Sequence, residues 1–349
     1  MVNISSMKTF IIAEAGVNHN GDEHLALQLV DTAARCGADA VKFQTFSADK
    51  LVRPGAEKAE YQKRETGKGD QHGMLKALEM SKSLHSRLFE RCAQLDIEFM
   101  STPFDEEAAD FLIELGMRRI KVPSGEITNT PFLEFLAAKD LPLIVSTGMA
   151  SMEEIQRAVE AVAVVRTRLG FTAPLDQMLT ILHCTSNYPA ACGDVNLRAM
   201  RTISDVTGMP VGYSDHTLGL AVSTAAVALG AVVIEKHFTL DRDMSGPDHK
   251  ASLTPGELGQ LVGQIRDVEA AMGSAIKQPT PSEIPMRALV RRSVTVVKTI
   301  VSGEKISREH VNLLRPGTGI APRDLELVLG KTVMHDIAAG TTLQWTDLK

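Results

Sequence analysis

Short apolar runs rich in Val and Ile recur along the chain, each followed by a stretch whose apolar positions fall at helical spacing. The runs are TFIIAEAG (9–16), ADAVKFQT (38–45), IEFMSTPF (97–104), RIKVPS (119–124), PLIVSTG (142–148), LTILHCTS (179–186), PVGYSDH (210–216) and VVIEKHF (232–238). Between them, DEHLALQLVDTAARCG, MEEIQRAVEAVAVVRTRLG and TLGLAVSTAAVALG read as helices ending in Gly, which a helix C-terminus favours. Strands alternating with helices imply parallel pairing. Eight such units predict a closed (β/α)8 TIM barrel over residues 1–276, an α/β fold. No glycine-rich dinucleotide fingerprint follows the first run, so an open doubly wound sheet is disfavoured.

Two segments break the pattern. The polar stretch between Ser47 and Ser81, containing KAEYQKRETGKGDQHG, is too long for a simple connection and reads as a functional loop over the barrel mouth. Residues 277–288 carry three prolines in a polar setting and read as a linker. Beyond them, residues 289–349 hold an internal repeat. Val297, Ile300, Gly303, Ile306 and Val311 share their spacing with Met334, Ile337, Gly340, Leu343 and Leu348, which predicts a small pseudo-symmetric β-domain.

Composition adds exclusions. With 44% hydrophobic and 23% charged residues the chain is ordinary globular material, and a net charge of −6 argues against nucleic-acid or anionic-membrane partners. Any anionic ligand must be held by locally placed cations. The four cysteines form no CxxC pair, the N-terminus lacks the apolar core of a signal peptide, and no run is long enough to span a bilayer. The expected location is the cytoplasm.

The ends of the eight runs are polar: Glu14; Lys42 and Gln44; Ser101 and Thr102; Lys121 and Ser124; Ser146 and Thr147; Thr185 and Ser186; Ser214, Asp215 and His216; Glu235, Lys236 and His237. In a barrel of this kind the C-terminal strand ends carry the ligand site, so a strand can finish in charge where its last residues face a solvated cavity. Lys42 and Lys121 with hydroxyls from Ser101, Thr102, Ser124, Ser146, Ser186 and Ser214 suit a phosphate with a carboxylate beside it. His216 and His237 end consecutive strands and suit a borderline divalent ion such as Mn²⁺ or Zn²⁺. Side chains alternate, so Glu235 and His237 point one way and Lys236 the other. Glu14, with no sequence neighbour to neutralise it, is a candidate base or water-orienting group. Asp248, on the Gly/Pro loop MSGPDHKAS, could accept hydrogen bonds from a polyol. His19 and His183 read as structural, and Asn18 and Asn20 as loop-stabilising groups.

With these residues in view, the chain resembles the sialic acid synthase family, which condenses phosphoenolpyruvate with an N-acetylated amino sugar. The resemblance rests on AEAGVNHNGD, VKFQTF, STPFD, KVPSGEITN, STGM, LHCTSNYP, GYSDHT, EKHFTLD, SGPDH and RPGTGI, in this order over nearly the whole chain. It implies a TIM barrel followed by an antifreeze-like (SAF) domain, in a domain-swapped homodimer where one chain's small domain caps the other's barrel. It also implies that His216 and His237 bind Mn²⁺, or another divalent cation such as Mg²⁺ or Co²⁺. Phosphoenolpyruvate would be held by Lys42, Thr102, Lys121, Ser124, Ser146, Ser186 and Ser214, although some members have Asn at the position of Ser186. Gln44, Tyr188, Asp248 and the partner subunit's Arg315 would contact the sugar. Glu14 would be the catalytic carboxylate and Glu126 a supporting one.

The expected activity is therefore N-acetylneuraminate synthesis from N-acetylmannosamine, the broadest activity of the family. SGEITN and SGPDHKAS are equally similar to synthases of N,N'-diacetyllegionaminate, which use 2,4-diacetamido-2,4,6-trideoxymannose, and a 6-phosphorylated sugar stays open. Outside the family, the alternatives are a metal-dependent aldolase or 3-deoxy-sugar-phosphate synthase on the same barrel, and a non-catalytic sugar binder.

Overall fold

Each apolar run forms a strand in a computed structural model that describes residues 8–349. The strands are β1 (Phe10–Gly16), β2 (Ala40–Thr45), β3 (Glu98–Pro103), β4 (Ile120–Val122), β5 (Leu143–Ser146), β6 (Leu179–Cys184), β7 (Val211–Asp215) and β8 (Val233–His237). All pair in parallel, in the order β3-β2-β1-β8-β7-β6-β5-β4, and β3 and β4 at the two ends of that order pack together and close the barrel. Several strands stop earlier than the apolar pattern suggests, leaving Ser124, Thr147, Thr185, Ser186 and His216 on the loops just beyond.

The surrounding helices begin where short polar side chains cap them. Asp22, Ser81, Asp105, Ser151 and Thr254 each accept a hydrogen bond from a backbone N–H in the first turn, and Ser151 with Glu154 and Thr254 with Glu257 form capping boxes.

Strand alternation sorts the side chains into two cores. Ile11, Ala13, Val41, Phe43, Phe99, Ile120, Val122, Leu143, Val145, Ile181, Val211, Tyr213 and Ile234 face the helices in one continuous core. The opposite parity points into the barrel, where Ile12, Ala40, Met100, Ile144, Leu182 and Val233 form a separate apolar plug. Gly212 has no side chain there because a Cβ would lie 2.4 Å from the Val233 carbonyl oxygen and 2.6 Å from Leu182. One step further along the same parity come Glu14, Lys42, Thr102, Lys121, Ser146, Cys184, Ser214 and Glu235, all buried. The plug is a dry floor, and the polar layer lies above it.

The described residues divide into two compact units, the first ending at Gly273 and the second spanning Ser274–Lys349. In the second, the stretch read as a linker is partly ordered: Ile284–Val290 is a helix, preceded by a turn in which the Thr280 N–H donates to Glu283. Strands β9 (Ser293–Val296) and β10 (Val311–Leu314) pair antiparallel.

The internal repeat is a genuine pseudo-two-fold. Ile300 and Ile337 exchange reciprocal backbone bonds of 2.9 and 2.8 Å, and the bond from Gly303 to Val333 is matched by one from Gly340 to Val296. Both glycines have positive φ, 85° and 92°, so each repeat turns at the residue that tolerates this backbone. Ile300, Ile306, Val311, Ile337 and Leu343 fill the core and Leu348 packs against it, whereas Val297 and Met334 are exposed. The repeat encodes turns and core from its second position onward.

Candidate active site

Strand register sets the first row of the site. Glu14 lies opposite Lys42 on β2 and opposite His237 on β8, so three chemically active side chains share one level of the barrel. Lys42 Nζ is 2.7 Å from Glu14 Oε2 and 3.7 Å from Glu235 Oε2, while Lys121 Nζ is 3.6 Å from Glu235 Oε1. Gln44 donates to Glu14 Oε1 at 3.3 Å. The charge that the sequence left unneutralised at Glu14 is thus met by Lys42 across the strand pair.

Burial nevertheless dominates at Glu14 and pushes its carboxyl up to about 7. Burial also acts on Glu235, but Lys121 and Lys42 outweigh it and hold that carboxyl below its ordinary range. Two carboxylates in one cavity are thereby driven apart, an arrangement that lets one carry or release a proton near neutral pH while the other stays ionised. Desolvation lowers Lys121. Such a buried charged layer does not stabilise the fold relative to an apolar one; its presence is a mark of function.

Hydroxyls surround the lysines. Thr102 accepts from Lys42 Nζ at 2.9 Å, and Ser214 donates to Glu235 at 3.4 Å. Ser124 Oγ accepts from the Gly148 N–H at 2.9 Å. A Cβ on Gly148 would stand 2.0 Å from Ser186 Oγ and 2.8 Å from Ser124 Oγ, so the absence of a side chain there lets two hydroxyls converge on a backbone donor. Ser146 Oγ is buried without a hydrogen-bond partner among the described residues. Ser101 departs from expectation. Its parity points it outward, where it pairs with Thr45 Oγ1 at 2.7 Å, and Thr45 in turn meets His85.

The two histidines stand together, ring centroids 5.6 Å apart, with the Tyr188 ring 4.1 Å from His216 and 5.7 Å from His237. Each is fixed from behind by the residue before it. Asp215 and Lys236 face outward, are buried, and form a 2.8 Å ion pair. Asp215 also accepts from the Thr217 N–H and hydroxyl and from Ser223, while Lys236 donates to the Thr217 carbonyl. This network locks the backbone on which both imidazoles are carried.

His216 Nδ1 lies 2.8 Å from the Thr185 carbonyl, which makes it the protonated nitrogen and leaves Nε2 with its lone pair free to accept a hydrogen bond or ligate a metal. Burial disfavours charge on His216, but contact with Cys184 and Thr185 outweighs it and raises its pKa. His237 is held well below the ordinary imidazole value, first by burial, and its Nδ1 has no partner among the described residues. Gly16, at φ 53°, passes so close that a Cβ would sit 3.3 Å from both Glu14 Oε1 and His237 Cε1. Among the described residues no group of three or more His, Cys, Asp or Glu is arranged around one point. The donor set is therefore two imidazoles, which fits a divalent cation whose remaining positions are filled by water or substrate.

Above this row the excursion between β2 and β3 folds into short helices, Ala48–Leu51, Glu60–Thr66 and Gln71–Lys76. Buried Lys58 ties it together by donating to Thr66 Oγ1 and to the Gly67 and Lys68 carbonyls. Tyr61 stacks on Tyr188 at 5.2 Å. The result is a cavity with Gln44, Gln62, His237 and Asp248 as polar lining, Tyr61 and Tyr188 as aromatic lining, and Val17, Met74, Leu75, Leu78 and Pro247 as an apolar side.

Asp248 is 8% exposed, and burial pushes its carboxyl up to about 6. A buried acid with a raised pKa costs nothing below its unfolded value near 3.8, and the cost grows as pH rises through about 6; the shift corresponds to about 3 kcal/mol. Asp248→Asn is therefore expected to raise Tm by a few degrees at pH 7.5, with no gain at pH 3.5 to 4, while weakening use of a polyhydroxylated substrate at least tenfold. Thermal melts at the two pH values and a substrate titration check this; a fall in Tm at pH 7.5 would contradict it.

Of the residues singled out in the sequence, Glu14, Lys42, Gln44, Thr102, Lys121, Ser124, Ser146, Ser186, Ser214, Tyr188, His216, His237 and Asp248 all lie at this end of the barrel. Glu126 does not join the charged layer: on the turn Ser124–Glu126 its carboxylate accepts from Asn129 at 2.7 Å. Arg315 belongs to the second unit, where it is exposed next to a cis peptide bond. Asn18 and Asn20 do brace loops, Asn18 donating to the Phe238 carbonyl and Ser252, and Asn20 meeting His249.

Several site residues had no assigned role in the sequence reading. Glu235 was readable from parity, two residues before His237. Cys184, 3.7 Å from both Ser124 Oγ and His216 Nδ1, shares inward parity with Leu182. Tyr61 and Gln62 carried no signal, since the excursion has no strand or heptad pattern. A second cavity, lined by Asp39, Cys92, Glu98, Gly116 and Arg118, adjoins residues at or before the N-terminal ends of β2, β3 and β4. Two of its three carboxylates are paired, Asp39 with Arg266 at 2.6 Å and Glu98 with Arg119 at 2.7 Å, and the third, Asp96, is exposed, so it has the character of a stability face.

Comparison with known proteins decides the family, because the NeuB family model matches residues 29–277 and the SAF domain model matches residues 291–349. The chain belongs to the NeuB family. It is an enzyme of the synthase type that this family comprises. N,N'-diacetyllegionaminic acid synthase of Legionella pneumophila is 54% identical over 99% of this chain and 96% of its own length. The protein of the same description from Campylobacter jejuni is 47% identical over 93% of this chain and 95% of its own length. Among solved structures, N-acetylneuraminic acid synthetase of Leptospira borgpetersenii, in complex with citrate, aligns with TM-score 0.70 and 35% identity over 80% of this chain and 90% of that one. The barrel and the small β-unit are thus the architecture of this family.

Proposed function

We propose that the enzyme condenses phosphoenolpyruvate with 2,4-diacetamido-2,4,6-trideoxymannose and water to give N,N'-diacetyllegionaminate and phosphate. The observation that carries the chemistry is the buried layer of Glu14, Lys42, Lys121 and Glu235 with convergent hydroxyls on one side and paired imidazoles on the other. The choice of sugar is supported by the two legionaminic relatives; N-acetylmannosamine, giving N-acetylneuraminate, is the alternative.

Phosphate and carboxylate of phosphoenolpyruvate are held by Lys42, Lys121, Thr102, Ser124, Ser146, Ser186, Ser214 and the Gly148 N–H. Gln44, Tyr188 and Asp248 orient the open-chain sugar with its aldehyde towards His216 and His237. A divalent cation on these two imidazoles, Mn²⁺ or another such as Mg²⁺ or Co²⁺, would polarise the aldehyde as a Lewis acid. The C3 carbon of phosphoenolpyruvate attacks that aldehyde, positive charge develops at C2, and water adds there. Glu14 takes one proton of that water and returns it to the alkoxide left on the former aldehyde oxygen. The tetrahedral intermediate then expels phosphate by C–O cleavage, the remaining hydroxyl proton leaving on the phosphate as C2 becomes a ketone, with Lys42 and Lys121 beside the departing oxygens. A swapped dimer in which the partner subunit's Arg315 reaches the sugar belongs to the same proposal.

Mass spectrometry of the products after incubation with phosphoenolpyruvate, Mn²⁺ and either sugar tests it, with a chelated control and sedimentation of the same sample. Product mainly from the trideoxy sugar, lost on chelation, is the expected result. Product from N-acetylmannosamine alone would move the assignment to the alternative, no product from either would sink both, and a fully active monomer would remove the swapped arrangement.

A further inference from the structure

The lining of the cavity above the histidines has two sources. His237 and Gln44 come from the barrel strands β8 and β2, and Gln44 is bonded to Glu14, so this is the reacting end. Met74 and Leu75 come from the helix Gln71–Lys76 of the excursion above the barrel and Leu78 from just beyond it. With Val17 and Phe46 these side chains form an apolar cluster distinct from both barrel cores. Met74 and Leu75 are only partly buried within that cluster, because one side of each is presented to the cavity.

We infer that the Met74–Leu75–Leu78 wall selects an acceptor sugar that carries a methyl group, not a hydroxymethyl group, at C6. The inference rests on the proposed function, which places the aldehyde at the His237 end and so directs the far carbons of the open chain towards this wall. A C6 methyl finds dispersion partners there. A C6 hydroxyl loses water and meets three side chains that offer it no hydrogen bond beyond the weak thioether of Met74, which already accepts from Thr66 at 3.6 Å. An apolar pocket rejects an added hydroxyl by about 10- to 100-fold. The polar groups, Gln62 and Asp248, line the same cavity and remain available to the other substituents of the chain.

The test compares sugars that differ only at C6: N-acetylmannosamine with its 6-deoxy analogue, and 2,4-diacetamido-2,4-dideoxymannose with the 2,4,6-trideoxy sugar. kcat/KM is measured for all four with the full-length protein, saturating phosphoenolpyruvate and Mn²⁺. The wild type is expected to favour the 6-deoxy member of a pair by tenfold or more. Leu75→Asn is expected to cut that ratio at least tenfold by acting on the 6-deoxy sugar and relieving the 6-hydroxy one; Met74→Gln, at the other half-buried position of the wall, reports the same change if Leu75→Asn does not fold. No C6 preference in the wild type, or an unchanged ratio in a folded variant, overturns the inference. Turnover of the N-acetylmannosamine pair alone overturns the legionaminate proposal while the C6 ratio within that pair still decides the role of the wall. Absence of turnover with all four sugars overturns both.

Discussion

Glu14→Gln is expected to lower kcat by 10²- to 10⁴-fold while phosphoenolpyruvate still binds. The substitution keeps the shape of the side chain and its contact with Gln44, but removes the one carboxylate of the layer that can take up a proton near neutral pH, since Glu235 is held ionised by Lys121 and Lys42. Lys42 loses its charged partner at 2.7 Å and keeps Glu235 at 3.7 Å and the neutral Thr102 hydroxyl, so its charge is left freer to meet phosphate. Binding of phosphoenolpyruvate should hold or tighten as turnover falls, a pattern that a merely structural glutamate would not produce. Titration calorimetry with phosphoenolpyruvate and a phosphate-release assay separate the two quantities. Turnover near the wild-type rate would remove Glu14 from the chemistry.

Gly148→Ala is expected to raise the KM for phosphoenolpyruvate by 10- to 100-fold with little change in Tm. The added Cβ would lie 2.0 Å from Ser186 Oγ and 2.8 Å from Ser124 Oγ. Both atoms are tips of short side chains that can rotate away, so the fold has a cheap escape, but rotation takes both hydroxyls off the anion and loosens the Ser124 contact with the Gly148 N–H. A 10- to 100-fold loss is about 1.4 to 2.7 kcal/mol, the size of one to two hydrogen bonds to a charged group at roughly 1.5 kcal/mol each. Steady-state kinetics with each substrate varied in turn, beside a thermal melt, give the answer. An unchanged KM for phosphoenolpyruvate would show that this corner of the mouth does not hold the anion, and a large drop in Tm would show that the glycine serves packing instead.

Strand parity explains how much of this site was legible in advance. Once the eight apolar runs are read as barrel strands, the period of two sends Glu14, Lys42, Thr102, Lys121, Ser146, Ser214, Glu235 and His237 inward and Lys236 and Asp215 outward, and the structure follows that division. Ser101 was misassigned because it neighbours Thr102 in the strand end and the two were read together, although adjacent residues face opposite sides. Glu126 and Ser124 follow a strand only three residues long and sit on a turn, where parity no longer applies and the local chain direction decides. Glu126 accordingly turns to Asn129.

The sequence by itself determined the barrel, its polar mouth, the small pseudo-symmetric β-unit and the family, because hydrophobic periodicity and strand-end motifs are local signals. Tertiary structure alone decided which charges neutralise one another, why the Glu14 and Glu235 carboxyls are driven in opposite directions, and which side chains of the excursion already read as a loop over the mouth, Tyr61, Met74, Leu75 and Leu78, share a cavity with His237. These depend on strand register and on burial, both of which join residues far apart in the chain, and no local pattern of side chains carries that information.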